Sequence, residues 1–177
     1  MQTTTSLHSD NFKIKQATGS PEDVERYVTA CNEKHFYSMR VINSPATSFQ
    51  AKQTLELDRA YHKFAKAFHP TTSQDYFTLI KNGNIVFFMV DNNNVDYGFA
   101  VIKYLSPTTV LIGDFSVYTH LNGYGTIFYN LLEQDFKKKG ITMVNLSPWG
   151  DGAKAFWKKK GFKPEYFTQE TYYKPIK

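Results

Sequence analysis

Cysteine is almost missing from this chain of 177 residues: Cys31 stands alone. No disulfide can close within the chain, and no CxxC or mixed Cys/His spacing is there to hold a zinc ion. A reducing compartment suits such a sequence. Long apolar runs are missing as well. The longest covers residues 85–90, far short of the ~20 residues a membrane-spanning helix needs. The opening MQTTTSLHSD has neither the basic start nor the apolar stretch of a secretory signal. These absences point to a cytoplasmic protein that keeps away from membranes. Several chemical signatures are also lacking. There is no GK[ST] ending of a phosphate loop, no GxSxG nucleophile elbow and no HExxH metal pair. No metal is expected.

Charge of one sign does not dominate. Lys and Arg number 21 against 16 for Asp and Glu, a formal net charge of +5. That excess favours an anionic ligand but is small for a dedicated nucleic-acid binder, and neither a helix-turn-helix pattern nor an RNP motif is present. The lysine runs 137–139 and 158–160 read as solvated helix ends, where cations suit the dipole, or as attraction for a phosphate. Hydrophobic residues make up 41% and aromatics 16%, enough for a core. The length suits one domain, expected over 11–177 behind a disordered 1–10.

Phe12 and Ile14 alternate with Lys13 and Lys15, which predicts a first strand. Ser20-Pro21-Glu22-Asp23 is a helix start, with a Ser cap, Pro at the first position and acids in the first turn. Val24, Tyr27, Val28 and Cys31 follow at helical spacing, so Cys31 reads as packing. After a loop at 43–45, residues 49–69 read as a long helix stopped by Pro70. Strands are predicted over 85–90, 95–105 and 110–118. The period then changes to helical over 126–139, closed by Gly140. A strand at 141–146, a helix capped by Asp151 and closed by Gly161, and a last strand at 167–173 complete the order. A meander followed by strand–helix–strand–helix means a mixed α/β domain.

The chemistry concentrates where the strand ending near Tyr118 runs into His120-Leu121-Asn122-Gly123-Tyr124-Gly125 and then a helix. The first N–H groups of a helix lack an intrahelical acceptor and carry the positive end of its dipole. Gly123 and Gly125 have no Cβ, so a phosphate can come close to the backbone. An ordinary tight turn has the same outline.

This segment resembles motif A of the GNAT N-acetyltransferase superfamily, Q/R-x-x-G-x-G/A, with Gly123 and Gly125 on its glycines. Phe128, Leu132, Phe136 and Gly140 fall on the apolar positions and closing glycine of that family's helix. The stretch AKAFWKKKGF, 153–162, is similar to motif B, and the surroundings of Asp114 and of Gly98 look like the fourth and third strands. The resemblance covers 84–166 and implies the GNAT fold, a central mixed sheet of six to seven strands flanked by about four helices. It implies acetyl-CoA as co-substrate. Backbone amides of Leu121, Asn122, Gly123, Tyr124, Gly125 and Thr126 would hold its pyrophosphate, with His120 beside them in the cofactor site. Phe115 and Val117 would pair with the pantetheine arm, and Ala153, Phe156 and Trp157 would line it. A backbone N–H near Val117 would meet the thioester oxygen.

The sequence departs from the family at three points. His120 takes the Gln/Arg position and brings less charge, with a titration near neutrality. The connection from Val117 to His120 is shorter than the family's common spacing. Trp157 stands where many members place an acidic tyrosine, and an indole N–H only donates. The implied reaction is direct attack of an amine on acetyl-CoA. Asp114 is the candidate base and Tyr118 the candidate acid. His35, His62 and His69 lie in the half that would shape the acceptor pocket. The acceptor is a small or peptide amine, and homodimerisation stays open. A non-catalytic acyl-CoA-binding module on the same fold is the alternative.

Overall fold

The computed structural model describes residues 9–42, 71–118, 123–167 and 170–177, with the side chains of 33–42 excepted. It divides into two compact units: Gly19–Thr78, and Met1–Thr18 together with Leu79–Lys177.

In the first unit, helix α1 (Pro21–Ile42) starts as its sequence predicts. The Ser20 Oγ accepts the N–H of Asp23 at 3.2 Å. The buried stripe is Val24, Tyr27 and Ala30, while Val28 and Cys31 are only half-buried. Cys31 shares that face at helical spacing from Val24 and Tyr27, and is half-buried on it. Asn32 clasps Thr71 twice, donating to its carbonyl at 3.2 Å and accepting from its N–H at 3.0 Å. Helix α2 (Ser73–Lys81) is an addition to the predicted order. Its start is a Thr-x-x-Asp box: Thr72 donates from N–H and hydroxyl to Asp75, both at 2.7 Å. Tyr76 is fully buried, its ring 5.4 Å from that of Tyr27. The loop at 43–45 and the helix expected over 49–69, with His62 and His69, lie outside the described residues, as does the side chain of His35.

The second unit is a seven-stranded mixed sheet. A 3-10 turn at Ser9–Asn11 leads into β1 (Phe12–Gln16). After α2 come β2 (Asn84–Asp91), β3 (Asp96–Ser106) and β4 (Thr109–Val117), an antiparallel meander. Helix α3 (Tyr124–Lys138) crosses over to β5 (Met143–Leu146), which is parallel to β4. Helix α4 (Gly150–Lys159) leads to β6 (Lys163–Pro164) and β7 (Tyr172–Pro175). The strand order is β1-β2-β3-β4-β5-β7-β6.

One face of the sheet carries Phe87, Met89, Ala100, Ile102, Val110, Ile112, Val144 and Leu146 into a core with Phe128, Leu132 and Phe136 of α3. Each of these but the smaller Ala100 contributes about 1.5–3 kcal/mol by leaving water. Val86, Phe88, Val90, Phe99 and Val101 alternate with these and are buried too. That explains the unbroken apolar run at 85–90, the pattern of a central strand.

Two readings change. The last strand is not at 167–173 but at Tyr172–Pro175, because Val144 and Leu146 of β5 pair with Lys174 and Tyr172. Phe167 lies in the turn before it and is 90% exposed. Asp151 is not the cap of α4. The cap is Trp149, without a side-chain bond, and Asp151 sits in the first turn, where a carboxylate suits the dipole. Gly140 and Gly161 close α3 and α4 at φ 73° and 87°, as predicted.

Candidate functional site

The site begins with a mismatch between two ladders. β4 pairs with β5 from Thr109↔Met143 to Ile112↔Leu146 and no further. Its ladder to β3 continues to Val117↔Gly98. Residues 113–117 thus run past the end of β5, and the edge facing β5 there lies outside the sheet ladder. Such an edge can accept another extended chain.

A β-bulge sits where the overhang begins. Val101 pairs with Asp114 and Ile102 with Ile112, so Gly113 is the extra residue. Strict alternation from Val110 and Ile112 would bring Asp114 to the core face. The bulge resets the count. Phe115 and Val117 join the core side, while Asp114 and Ser116 take the other. Asp114 Oδ1 accepts the N–H of Phe115 at 2.8 Å. Tyr118 is half-buried, and its N–H donates to the carbonyl of Tyr97 at 3.0 Å. Gly98 lets β3 and β4 approach, since a Cβ there would collide with the carbonyl oxygen of Ser116. Sequence reading passed over that role, though a glycine inside a strand signals it.

Helix α3 follows the overhang. Gly123 is its N-cap in the left-handed region, at φ 79°, and no side chain caps it. The N–H groups of Thr126 and Ile127 donate to the Gly123 carbonyl at 3.0 and 3.2 Å. Those of Tyr124 and Gly125 meet no backbone acceptor among the described residues. α1, α2 and α4 each have an acid in the first turn, and α3 has none. No carboxylate of its own first turn offsets the positive end of α3, which suits a phosphate. Tyr124 is held by two other rings, 5.7 Å from Phe12 and 5.0 Å from Tyr97. Burial, and then the charge of Asp91, push the Tyr97 hydroxyl above its ordinary pKa.

Aromatic rings join the overhang to α3 and α4. The Phe115 ring stacks on Phe128 at 5.0 Å and on Phe156 at 6.0 Å. A Cβ on Gly125 would stand 3.3 Å from the Phe156 ring and 3.9 Å from Phe115. Phe115, Gly125 and Phe156, three of the expected cofactor residues, are therefore neighbours. Ala153 packs half-buried on the same core. Trp157 is 5% exposed, within 5.3 Å of the rings of Phe115, Tyr129, Phe156 and Phe162. Its indole is a core side chain. His120, Leu121 and Asn122 lie outside the described residues. Among the described residues no cluster of His, Cys, Asp or Glu has the form of a metal site, and no helix is long and apolar enough to cross a membrane.

No family model matches the chain, and no curated protein does. Solved structures do match. The paia N-acetyltransferase from Thermoplasma acidophilum, in complex with coenzyme A, is 17% identical, with 92% of this chain and 96% of that one covered at a TM-score of 0.58. Tetrahymena GCN5 is 14% identical, with 94% and 96% covered and a TM-score of 0.58. The chain has the GNAT fold. The ribosomal-protein-S18-alanine N-acetyltransferase from Escherichia coli is a further GNAT likeness, 14% identical over 93% and 94% of the chains, with a TM-score of 0.57. At such identities the likeness establishes architecture: the mixed seven-stranded sheet with its parallel β4–β5 pair.

Proposed function

We propose that this protein binds acetyl-CoA along the β4 overhang and transfers the acetyl group to a primary amine. The observation that carries the reading is the meeting of an open strand edge, residues 113–117, with an uncapped helix start at Gly123. Such an edge suits an amide-bearing arm and such a start suits a pyrophosphate. Tyr124, Gly125 and Thr126 would present amides to the phosphates. His120, Leu121 and Asn122 belong to the same segment. Phe115 and Val117 would pair with the arm, with Ala153, Phe156 and Trp157 walling it.

The acceptor nitrogen attacks the thioester carbon, the carbon–sulfur bond breaks, and the thiolate leaves. Holding both reactants in line lowers the barrier by making the encounter intramolecular. A backbone N–H near Val117 stabilises the developing oxyanion. Asp114, directly or through a water, takes the amine proton. Tyr118 returns a proton to the thiolate. The acceptor is a small-molecule or peptide amine.

One observation favours a second reading, a non-catalytic acyl-CoA-binding module. Trp157 is enclosed by four rings where an acid would be useful. Calorimetric titration with acetyl-CoA tests the shared claim, and no heat at millimolar ligand sinks both readings. Thiol release with a panel of amines then separates them: binding without turnover leaves only the module.

A further inference from the structure

The two lysine runs, 137–139 and 158–160, end their helices in the same way. Gly140 and Gly161 follow them in the left-handed region. Past these glycines, Ile141 and Phe162 are buried. Their N–H groups donate back to the carbonyls of Phe136 and Trp157, at 3.0 and 3.1 Å. Those of Gly140 and Gly161 donate to Lys137 and Lys158, at 3.1 and 3.0 Å. Backbone donors thus already close both helix ends, so the six lysines are not needed as caps. Nor do they reach the phosphates proposed at the start of α3. That helix has 15 residues, which at 1.5 Å per residue is about 22 Å.

Both runs lie at one end of the sheet, where β4, β5 and β6 begin. The Thr142 N–H, after α3, donates to the Thr108 carbonyl, before β4, at 2.8 Å. Lys174 of β7 joins the two helix ends. Its ammonium bonds Glu133 of α3 at 2.7 Å and lies 5.0 and 5.9 Å from the ring centres of Tyr129 and Phe162. Lys163 opens β6. These stretches hold eight lysines against two carboxylates, Glu133 and Asp135. The excess is six, one more than the whole chain carries. Asp91, Asp96, Asp114, Asp151 and Glu165 lie toward the opposite end, where β2 and β4 finish, β3 and α4 start, and β6 has passed. Net charge therefore understates this end. Lys138, Lys158, Lys159 and Lys163 are exposed and make no ion pair among the described residues. Burial and then the charge of Lys174 lower the pKa of Lys160, so the cations here crowd one another.

We infer that this end of the sheet docks on the phosphate backbone of a double-stranded nucleic acid and does not read its sequence. Lysine is a point charge without the fork that pairs with base edges. A single strand wants rings on which bases stack. Trp149, Tyr166 and Phe167 are exposed, but they follow the far ends of β5 and β6. A membrane surface wants an apolar anchor beside the cations. The exposed large apolar side chains at the basic end are two aliphatic ones, Ile80 at 37% and Leu105 at 51%. A duplex backbone needs only cations. The inference stands apart from the acetyl-transfer reading.

Fluorescence anisotropy of a short labelled duplex, titrated with the full chain, tests it. Duplexes of two unrelated sequences are expected to bind equally. If six lysines each meet a phosphate, affinity falls about a thousandfold between about 50 and about 200 mM salt. Lys158→Glu should weaken binding and lower the salt slope by about 1. Lys13→Glu, the same charge change on exposed β1, should leave the slope alone. Lys158→Gln reads the same site if the glutamate disturbs the helix end. Duplex DNA and duplex RNA share this chemistry, and the tighter of the two names the source. No binding at about 50 mM salt overturns the inference, as does a single strand that binds tighter than either duplex. Equal losses in Lys158→Glu and Lys13→Glu would reduce the effect to overall charge and overturn it too. So would capture on phosphatidylserine vesicles in the absence of duplex binding.

Discussion

Gly98 has the least freedom of any residue in the candidate site. A Cβ there meets backbone on the facing strand: the Ser116 carbonyl oxygen, and the Val117 Cα at 3.2 Å. No rotamer change relieves that contact. Gly98→Ala is expected to cost about 1–3 kcal/mol, as overpacking does, read as a lower urea midpoint. It should also weaken acetyl-CoA binding in calorimetry, since the displaced segment is the one proposed to pair with the ligand. Gly113→Ala is the control, because its Cβ would find only the Val101 carbonyl, 3.7 Å away. Equal effects of the two would show that close approach is not what Gly98 provides. Tyr129 is constrained electrically. It is fully buried, and the Lys174 ammonium lies 5.0 Å from its ring centre. Burial, then the charge of Glu133, raise its hydroxyl well above the ordinary 10.0. The folded state holds this proton more tightly than the unfolded chain does. The resulting stability is whole below pH 10 and is lost as pH rises further. Lys160 has the opposite sign: burial and then Lys174 lower its pKa, a cost that disappears as pH approaches 10.5. Urea midpoints from pH 8 upward should fall on the alkaline side, with a shallower fall in Tyr129→Phe. An unchanged slope would place the loss elsewhere.

Elements with strong local punctuation were legible before any coordinates. Ser20-Pro21 opens α1, and Gly140 and Gly161 close α3 and α4. Elements fixed by partners were not. The position of β7 depends on its register with β5, and Phe167 reads as strand because aromatic residues favour strands. The β4 bulge shows in the sequence only as a change of phase at Gly113, from Val110 and Ile112 to Phe115 and Val117, and it decides which way Asp114 and Phe115 face. Gly113 is the residue to remove in a test of it. Deletion keeps Phe115 and Val117 on the core side, because the bulge already counts Gly113 as extra. What changes is the bend where β4 outruns β5. The deletion variant is expected to keep its far-ultraviolet circular dichroism and bind acetyl-CoA about tenfold or more weakly, the scale of loss when positioning is disturbed. Wild-type affinity in the deletion would mean that the bend has no part in the site.

At the scale of the molecule, the two glycines before α3 were visible in the sequence, but what makes them a site was not. The mismatch of ladders that opens the β4 edge is a relation between strands 34 residues apart, as in Thr109↔Met143. The missing acid in the first turn of α3 gains meaning only beside the acids of α1, α2 and α4. Aromatic neighbours from β1, β3, β4 and α4 then tie that helix start to the core. A ligand seated there should stabilise the folded chain as a whole, because it binds that arrangement and not the unfolded chain. At a hundredfold excess over Kd the gain is about 2.7 kcal/mol. For a chain of this size that raises Tm by roughly 5–10 °C. Differential scanning calorimetry with coenzyme A measures it. Pantetheine, which lacks the phosphates, should give far less, since the α3 amides then have nothing to bind. Gly125→Glu should abolish the shift whatever its own Tm: the new side chain runs into Phe156 and brings negative charge to the phosphate position. Equal shifts from pantetheine and coenzyme A would move the binding energy away from the helix start. An undiminished shift in Gly125→Glu would remove that helix start from the site altogether.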